Sequence, residues 1–207
     1  MGPAPAATIP PGDIETEINQ LATVGRLLEQ PELARVYVYV CYFGPVTRPQ
    51  IEDALSIPKT TVYDHVETLE SLGVVDLDGD RPVDVTASPV RIDADGSTIT
   101  PTILHAVARQ EIDDDIAYFV ERHGVGKLAA AVREAGRHYA GRITQRTAAE
   151  PLGVPTGEAI RIVLALEPVL AAGQTSDPHF DAMFPDIADE IDCRNEIDVS
   201  NPETQTE

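Results

Sequence analysis

The sequence predicts a mainly α fold with a small β-hairpin wing, and three observations carry that prediction. Two short amphipathic segments between Pro45 and Gly73 are separated by the break Ser56-Ile57-Pro58. Directly behind them, the turn-competent pair Asp78-Gly79 stands between two apolar-rich arms, Val74 to Leu77 and Pro82 to Val85, the pattern of a β-hairpin. Beyond residue 100, apolar residues recur at helical spacing, as at Ile112, Ile116 and Phe119.

Residues 1–12 carry four prolines and no charged side chain, the composition of a disordered lead-in. Asp13 suits the N-cap of a helix in which Ile14, Ile18, Leu21, Val24 and Leu28 form one stripe. Pro31 restarts the chain, and Leu33 to Phe43 fits either a helix or, with its β-branched residues, a buried strand. Thr47 and Gln50 have the spacing of a capping box with Pro49 in the first turn, and Ile51, Ala54 and Leu55 fall on one face. The next helix begins near Lys59 and buries Val62, Val66, Leu69 and Leu72. Gly73 closes it as a residue free to take the left-handed conformation.

Helix, tight turn, helix and hairpin make a winged helix-turn-helix. The segment PKTTVYDHVETLESLGVV, residues 58–75, resembles the recognition helix of winged-helix transcription regulators such as the MarR, ArsR and TrmB families, of the kind found in halophilic archaea. The resemblance implies that Leu33 to Phe43 is the first helix of this domain. It implies double-stranded DNA as partner, with the helix from Lys59 entering the major groove. A long helix after the wing would then make the contact of a homodimer. With Val62, Val66 and Leu69 turned inward, Lys59, Thr60, Thr61, Tyr63, Asp64 and Glu67 are left outward or at the flank, and His65 at the core edge. Lys59 suits phosphate or guanine, Thr60 and Thr61 suit phosphate or a thymine methyl, and Tyr63 suits the DNA backbone. Arg48 and Arg81, at a helix start and the hairpin tip, are candidate phosphate contacts. Asp64 and Glu67 would repel phosphate but can accept from cytosine N4.

After the hairpin, Pro89 to Ile92 and Ser97 to Thr100 flank Asp95-Gly96, so the wing is extended or a second hairpin follows. Pro101 opens what reads as one long helix through His123, with Asp113, Asp114 and Asp115 as a solvated face. Gly124 ends it, and another helix runs from Val125 to about Ala140. Between Arg122 and Arg146 the charge reverses, with Glu134 the one acid among six basic residues. Arg133 and Arg137 in this window would assist DNA binding through phosphates, or pair within the chain with the Asp-rich helix or the acidic tail. The same region echoes the first module at a constant offset of ninety-seven residues: Leu55-Ser56-Ile57-Pro58 falls on Leu152-Gly153-Val154-Pro155, and Val62, Val66 and Leu69 fall on Ala159, Val163 and Leu166. It reads as a second helix-turn-helix whose second helix is TGEAIRIVLALEPVLAAG, used for packing or dimerisation. Residues 174–207 hold ten acids against Arg194 alone and read as a disordered, solvating tail, with a docking peptide for a protein partner as the alternative.

The organisation expected is therefore a disordered N-terminus (1–12), a winged helix-turn-helix domain (13–100), a helical dimerisation region (101–173) and an acidic tail (174–207). A formal charge of −20 runs against the basic footprint of a DNA binder. Lysine is scarce beside arginine, and the acidity is spread along the chain. This is the composition of proteins from organisms that hold molar salt in the cytoplasm. Five scattered histidines, no HExxH, no phosphate-cradling glycine loop and no serine elbow speak against an enzyme, a metal site or a cofactor. Cys41 and Cys193 have no CxxC spacing. No membrane-spanning run or signal peptide is read, so the protein is expected in the cytoplasm. The function expected is a sequence-specific DNA-binding transcriptional regulator acting as a dimer. The alternative is a protein-interaction adaptor built on the same scaffold.

Overall fold

The computed structural model describes residues 11–79, 82–94, 97–185 and 187. Helices α1 (Pro11–Glu29) and α2 (Pro31–Phe43) lead into strand β1 (Val46–Thr47) and helices α3 (Arg48–Leu55) and α4 (Lys59–Ser71). The hairpins β2 (Val75–Asp78) with β3 (Asp84–Ala87) and β4 (Ile92–Ala94) with β5 (Ser97–Ile99) follow. Helices α5 (Pro101–Ala108), α6 (Asp114–His123), α7 (Val125–Tyr139), α8 (Ala149–Leu152), α9 (Thr156–Ala165), α10 (Glu167–Ser176) and α11 (Pro178–Met183) complete the chain. Among the described residues, no helix is long and apolar enough to cross a membrane.

The helix-turn-helix forms as its local chemistry dictates. The capping box at Thr47 starts α3, with the Thr47 N–H donating to Gln50 Oε1 at 2.8 Å. Ser56 takes a left-handed φ of 52° in the turn, and Pro58 stands at the N-cap of α4. Val62, Val66 and Leu69 are fully buried, and Leu72 is partly so. Gly73, at φ 69°, makes the expected left-handed exit, so a side chain there would be strained. Leu33 to Phe43 is helical, with Leu33, Val36, Tyr37, Val38 and Val40 buried in the N-terminal core.

Several expectations are corrected. Helix α1 starts at Pro11, so residues 11 and 12 are helical rather than lead-in, and Asp13 lies inside the first turn instead of capping it. Its inward face is Thr23, Val24 and Leu27, which leaves Ile18 and Leu21 exposed at 59% and 54%. The hairpin arms sit later than expected: Asp78 is paired with Asp84 inside the ladder, and the connection runs from 79 to 83. Strand β1, too short to show a period, adds a third strand in the order β1-β3-β2. The second hairpin pairs β4 with β5, Ile92 opposite Ile99 and Ala94 opposite Ser97.

The long helix expected from Pro101 to His123 is broken. Helix α5 ends at Ala108, a 3-10 turn spans Arg109–Glu111, and Asp113 then caps α6 by accepting from the N–H groups of Asp115 and Ile116, both at 3.1 Å. The aspartate run is thus a helix start, with Asp114 and Asp115 in the positive first turn. Ile112, at the break, is exposed instead of sharing the buried face of Ile116 and Phe119. Every residue of α5 is buried within the chain, so this helix cannot itself be a dimer contact. Its Leu104 belongs to the N-terminal core, whereas Ile103, Ala106, Val107 and Ala108 belong to the C-terminal one.

The internal echo is structural. Gly153 is left-handed like Ser56, at φ 62°, and Pro155 (φ −55°, ψ 141°) repeats Pro58 (φ −56°, ψ 140°). Ala159, Val163 and Leu166 are fully buried, as are their counterparts in α4. The second helix is shorter than read, since Pro168 cannot extend α9 and instead opens α10. Residues 174–185 are ordered where a tail was expected. Asp177, buried, caps α11 through the N–H groups of His179 and Phe180 and also accepts from the Thr102 hydroxyl at 2.7 Å. Phe180, Phe184 and Ile187 are buried beside it. The remainder of that tail, residues 1–10, and Arg81 lie outside the described residues.

Candidate nucleic-acid interface

The candidate surface is the outer face of α4 with the start of α3. Lys59, Thr60, Tyr63, Asp64 and Glu67 are exposed and Thr61 is half-buried, above the stripe that locks α4 to α2 and α3. His65 sits at the edge, its Nε2 3.3 Å from Glu32 Oε2 on α2, which ties the middle of α4 to the helix behind it.

Sequence reasoning singled out these side chains separately and missed how they are joined. The Arg48 guanidinium lies over the Tyr63 ring, 4.9 Å from its centroid, and the Lys59 ammonium lies 5.7 Å from the same centroid. One ring thus collects cations from two helices, worth about 0.5–1 kcal/mol each at an exposed position. The residue separation of fifteen between Arg48 and Tyr63 carries no periodic signal, so only the turn geometry brings them together. Arg48 Nε is buried without a hydrogen-bond partner, and the guanidinium rests on packing rather than on an acid. Two cations therefore stand at the N-terminal end of α4, where the free N–H groups of the helix add positive potential.

Acids frame this patch. Asp64, Glu67 and Glu70 continue along α4, and Asp76, Asp78 and Asp84 line the wing. The arrangement suits close, oriented contact by the first turn of α4 better than general attraction to polyanions.

Arg133 and Arg137 belong to a different helix. Both lie on α7 and converge on the buried Glu134, with Arg137 Nη1 at 2.8 Å and Arg133 Nε at 3.4 Å. The acid that both reach is thus the single one inside the basic window. Arg122 bonds the Tyr118 hydroxyl at 2.8 Å, and Arg142 lies over Phe184. Much of the apparent basic patch is internal bracing.

In the echoing segment, α6 attends the first turns of α9. His123 Nε2 is 2.6 Å and Arg122 Nη1 3.6 Å from Glu158, and Arg161 is 3.9 Å from Asp115. Glu158 and Arg161 hold the places that Thr61 and Asp64 hold in α4.

No curated protein and no solved structure matches the chain. Residues 110–175, from the 3-10 turn after α5 almost to the end of α10, match a family of unknown function, DUF7437. Residues 31–91, from α2 through the wing, match the sugar-specific transcriptional regulator TrmB family, a winged-helix family, and that match implies a transcription regulator with a DNA-binding helix-turn-helix.

Proposed function

We propose that the protein is a sequence-specific regulator that reads double-stranded DNA with the first turns of α4 and works as a homodimer. The observation that carries the reading is the cluster of Arg48, Lys59 and Tyr63 at the open end of a helix whose opposite face is fully buried. Lys59, Thr60, Thr61 and Tyr63 would meet bases and backbone, Arg48 a phosphate, and Asp64 a cytosine amine. Arg81 would likewise meet a phosphate. Arg133 and Arg137 are better accounted for by Glu134 than by phosphate. The charge of −20 fits work in molar potassium chloride, where both surfaces are screened.

Mobility shift with fragments of the protein's own upstream region, in molar potassium chloride, tests this. Lys59→Ala, Thr61→Ala and Tyr63→Ala should each weaken specific binding by about ten- to a hundredfold, the ~1–3 kcal/mol of a lost base contact, with little change in melting temperature. Val66→Ala should lower the melting temperature and affect binding only through folding. Affinity indifferent to all three surface changes would remove α4 from the interface. The run of Asp64, Glu67 and Glu70 would then favour the adaptor, with a basic protein as partner.

A further inference from the structure

A cleft in the helical region is untouched by this reading. Ile103 of α5, Ala129 and Val132 of α7, and Phe180 and Phe184 of α11 wall it, with Thr98 of β5 at one edge. It has about 100 Å³ of room. One water needs roughly 10–15 Å³ on the same scale, so the space suits a branched aliphatic side chain. Ile103, Val132, Phe180 and Phe184 are buried apolar surface, and the inner part of any occupant must match them. The mouth, by contrast, is cationic. Arg133 lines it and is exposed, and Arg137 stands one turn further along α7. The Arg142 guanidinium lies 5.3 Å from the centre of the Phe184 ring and donates to the Met183 carbonyl at 3.3 Å. An apolar cleft ringed by arginines calls for an aliphatic group carried between carboxylates.

The chain carries that pattern a few residues beyond the cleft. Glu190-Ile191-Asp192 sets an isoleucine between two acids, and Glu196-Ile197-Asp198 repeats it. Ile187, the last of the described residues, is buried in the same core as Phe180 and Phe184. Four residues of extended chain span at most about 14 Å, so Ile191 is tethered within that distance of Ile187. So short a tether holds the segment at an effective concentration on the order of millimolar, and a contact too weak to capture a free peptide is populated here. In molar salt, screening leaves only charges within about 3 Å of one another strongly coupled, so the isoleucine carries most of the binding.

We propose that the chain's own C-terminal segment occupies this cleft, with Ile191 inserted between Ile103, Val132 and Phe184 and the carboxylates of Glu190 and Asp192 set against Arg133 and Arg142. The contact ties α7 and α11 to the second hairpin, and it stands or falls independently of DNA binding. Cys193, two residues beyond Ile191, reports it in the full chain. Ala129→Cys, a small change on the wall of the cleft, supplies the second thiol. Cys41 does not compete, because burial pushes its thiol up to about 12. Oxidised glutathione in molar potassium chloride should then join positions 129 and 193 within one chain, followed as a mobility change on a non-reducing gel. Ile191→Asp keeps the same tether and leaves the described core untouched, and it should slow that closure at least tenfold. Glu190→Gln with Asp192→Asn should slow it about threefold, and Ile197→Asp should leave it within twofold. An unchanged rate in Ile191→Asp would overturn the proposal. So would an equal loss in Ile197→Asp, or a product that is mainly a disulfide between two chains, since the cleft would then belong to a second copy.

Discussion

At the scale of single residues, the side chains that matter most are those whose charge state the fold decides. His105 is the clearest. Burial, with Arg109 nearby, pulls its pKa down from 6.5 to about 3, so the folded protein holds it neutral. An unfolded chain takes up the proton below about pH 6.5 and the folded chain does not. The stabilisation is therefore complete above that pH and is lost as pH falls toward 3, at about 1.4 kcal/mol per pH unit. Denaturation by urea between pH 7 and 4 should show this slope, and His105→Leu should flatten it. An identical acid limb in that variant would mean that His105 is not the group responsible. Glu134 is the opposite case, a buried carboxylate accepted because two arginines reach it. The sequence showed those arginines as a patch because charge is visible in a string, whereas the inward turn of the one acid among them is not.

At the scale of elements, the first helix-turn-helix was legible because every local signal agreed. The capping box, the Ser-Ile-Pro break, the stripe from Val62 to Leu69 and the exit at Gly73 all point to one structure. The misreadings share a different cause. Between Pro101 and His123 the helical period continues through the break, and only the capping chemistry of Asp113 marks the stop. The stripe on α1 was rotated because its inner face is chosen by the neighbours, including the Leu72 carbonyl that accepts from Thr23 at 3.3 Å. Tyr63 with Arg48 lay beyond reach for the same reason, being a contact between elements. Helix α9 repeats the shape of α4 in different surroundings. Its leading residues are engaged by α6, and Leu164 is exposed in the place of Glu67. Arg161→Ala and Leu164→Ser should therefore leave DNA affinity within twofold in mobility shift. A loss like that of the α4 variants would make the second module a reader as well.

At the scale of the whole molecule, the apolar faces between Pro101 and Gly173 are spent mainly inside the chain, which moves the proposed dimer contact elsewhere. The two most exposed large apolar side chains among the described residues, Ile18 and Leu21, are one turn apart on α1. The stretch from Ile18 to Leu28 contains no acid in a chain of charge −20, a fitting trait for a surface that must meet its own copy. Ile18→Asp with Leu21→Asp should convert a dimer to a monomer by light scattering in molar salt, while a parent that is already monomeric with and without DNA would end the dimer reading. Helix α5 has a consequence for handling the protein. It lies outside both family matches, yet it fills the groove behind α2 and the heart of the helical region, and Thr102 touches the backbone at Gly173 so closely that an added Cβ would sit 2.5 Å from its hydroxyl oxygen. A scissor placed after residue 100, where the sequence invites a domain boundary, would strip the reading head of its own interior wall. Calorimetry of the full chain should show one melting transition, and the fragment ending at residue 100 should emerge insoluble or molten. The two family matches thus cover segments that pack against one shared helix.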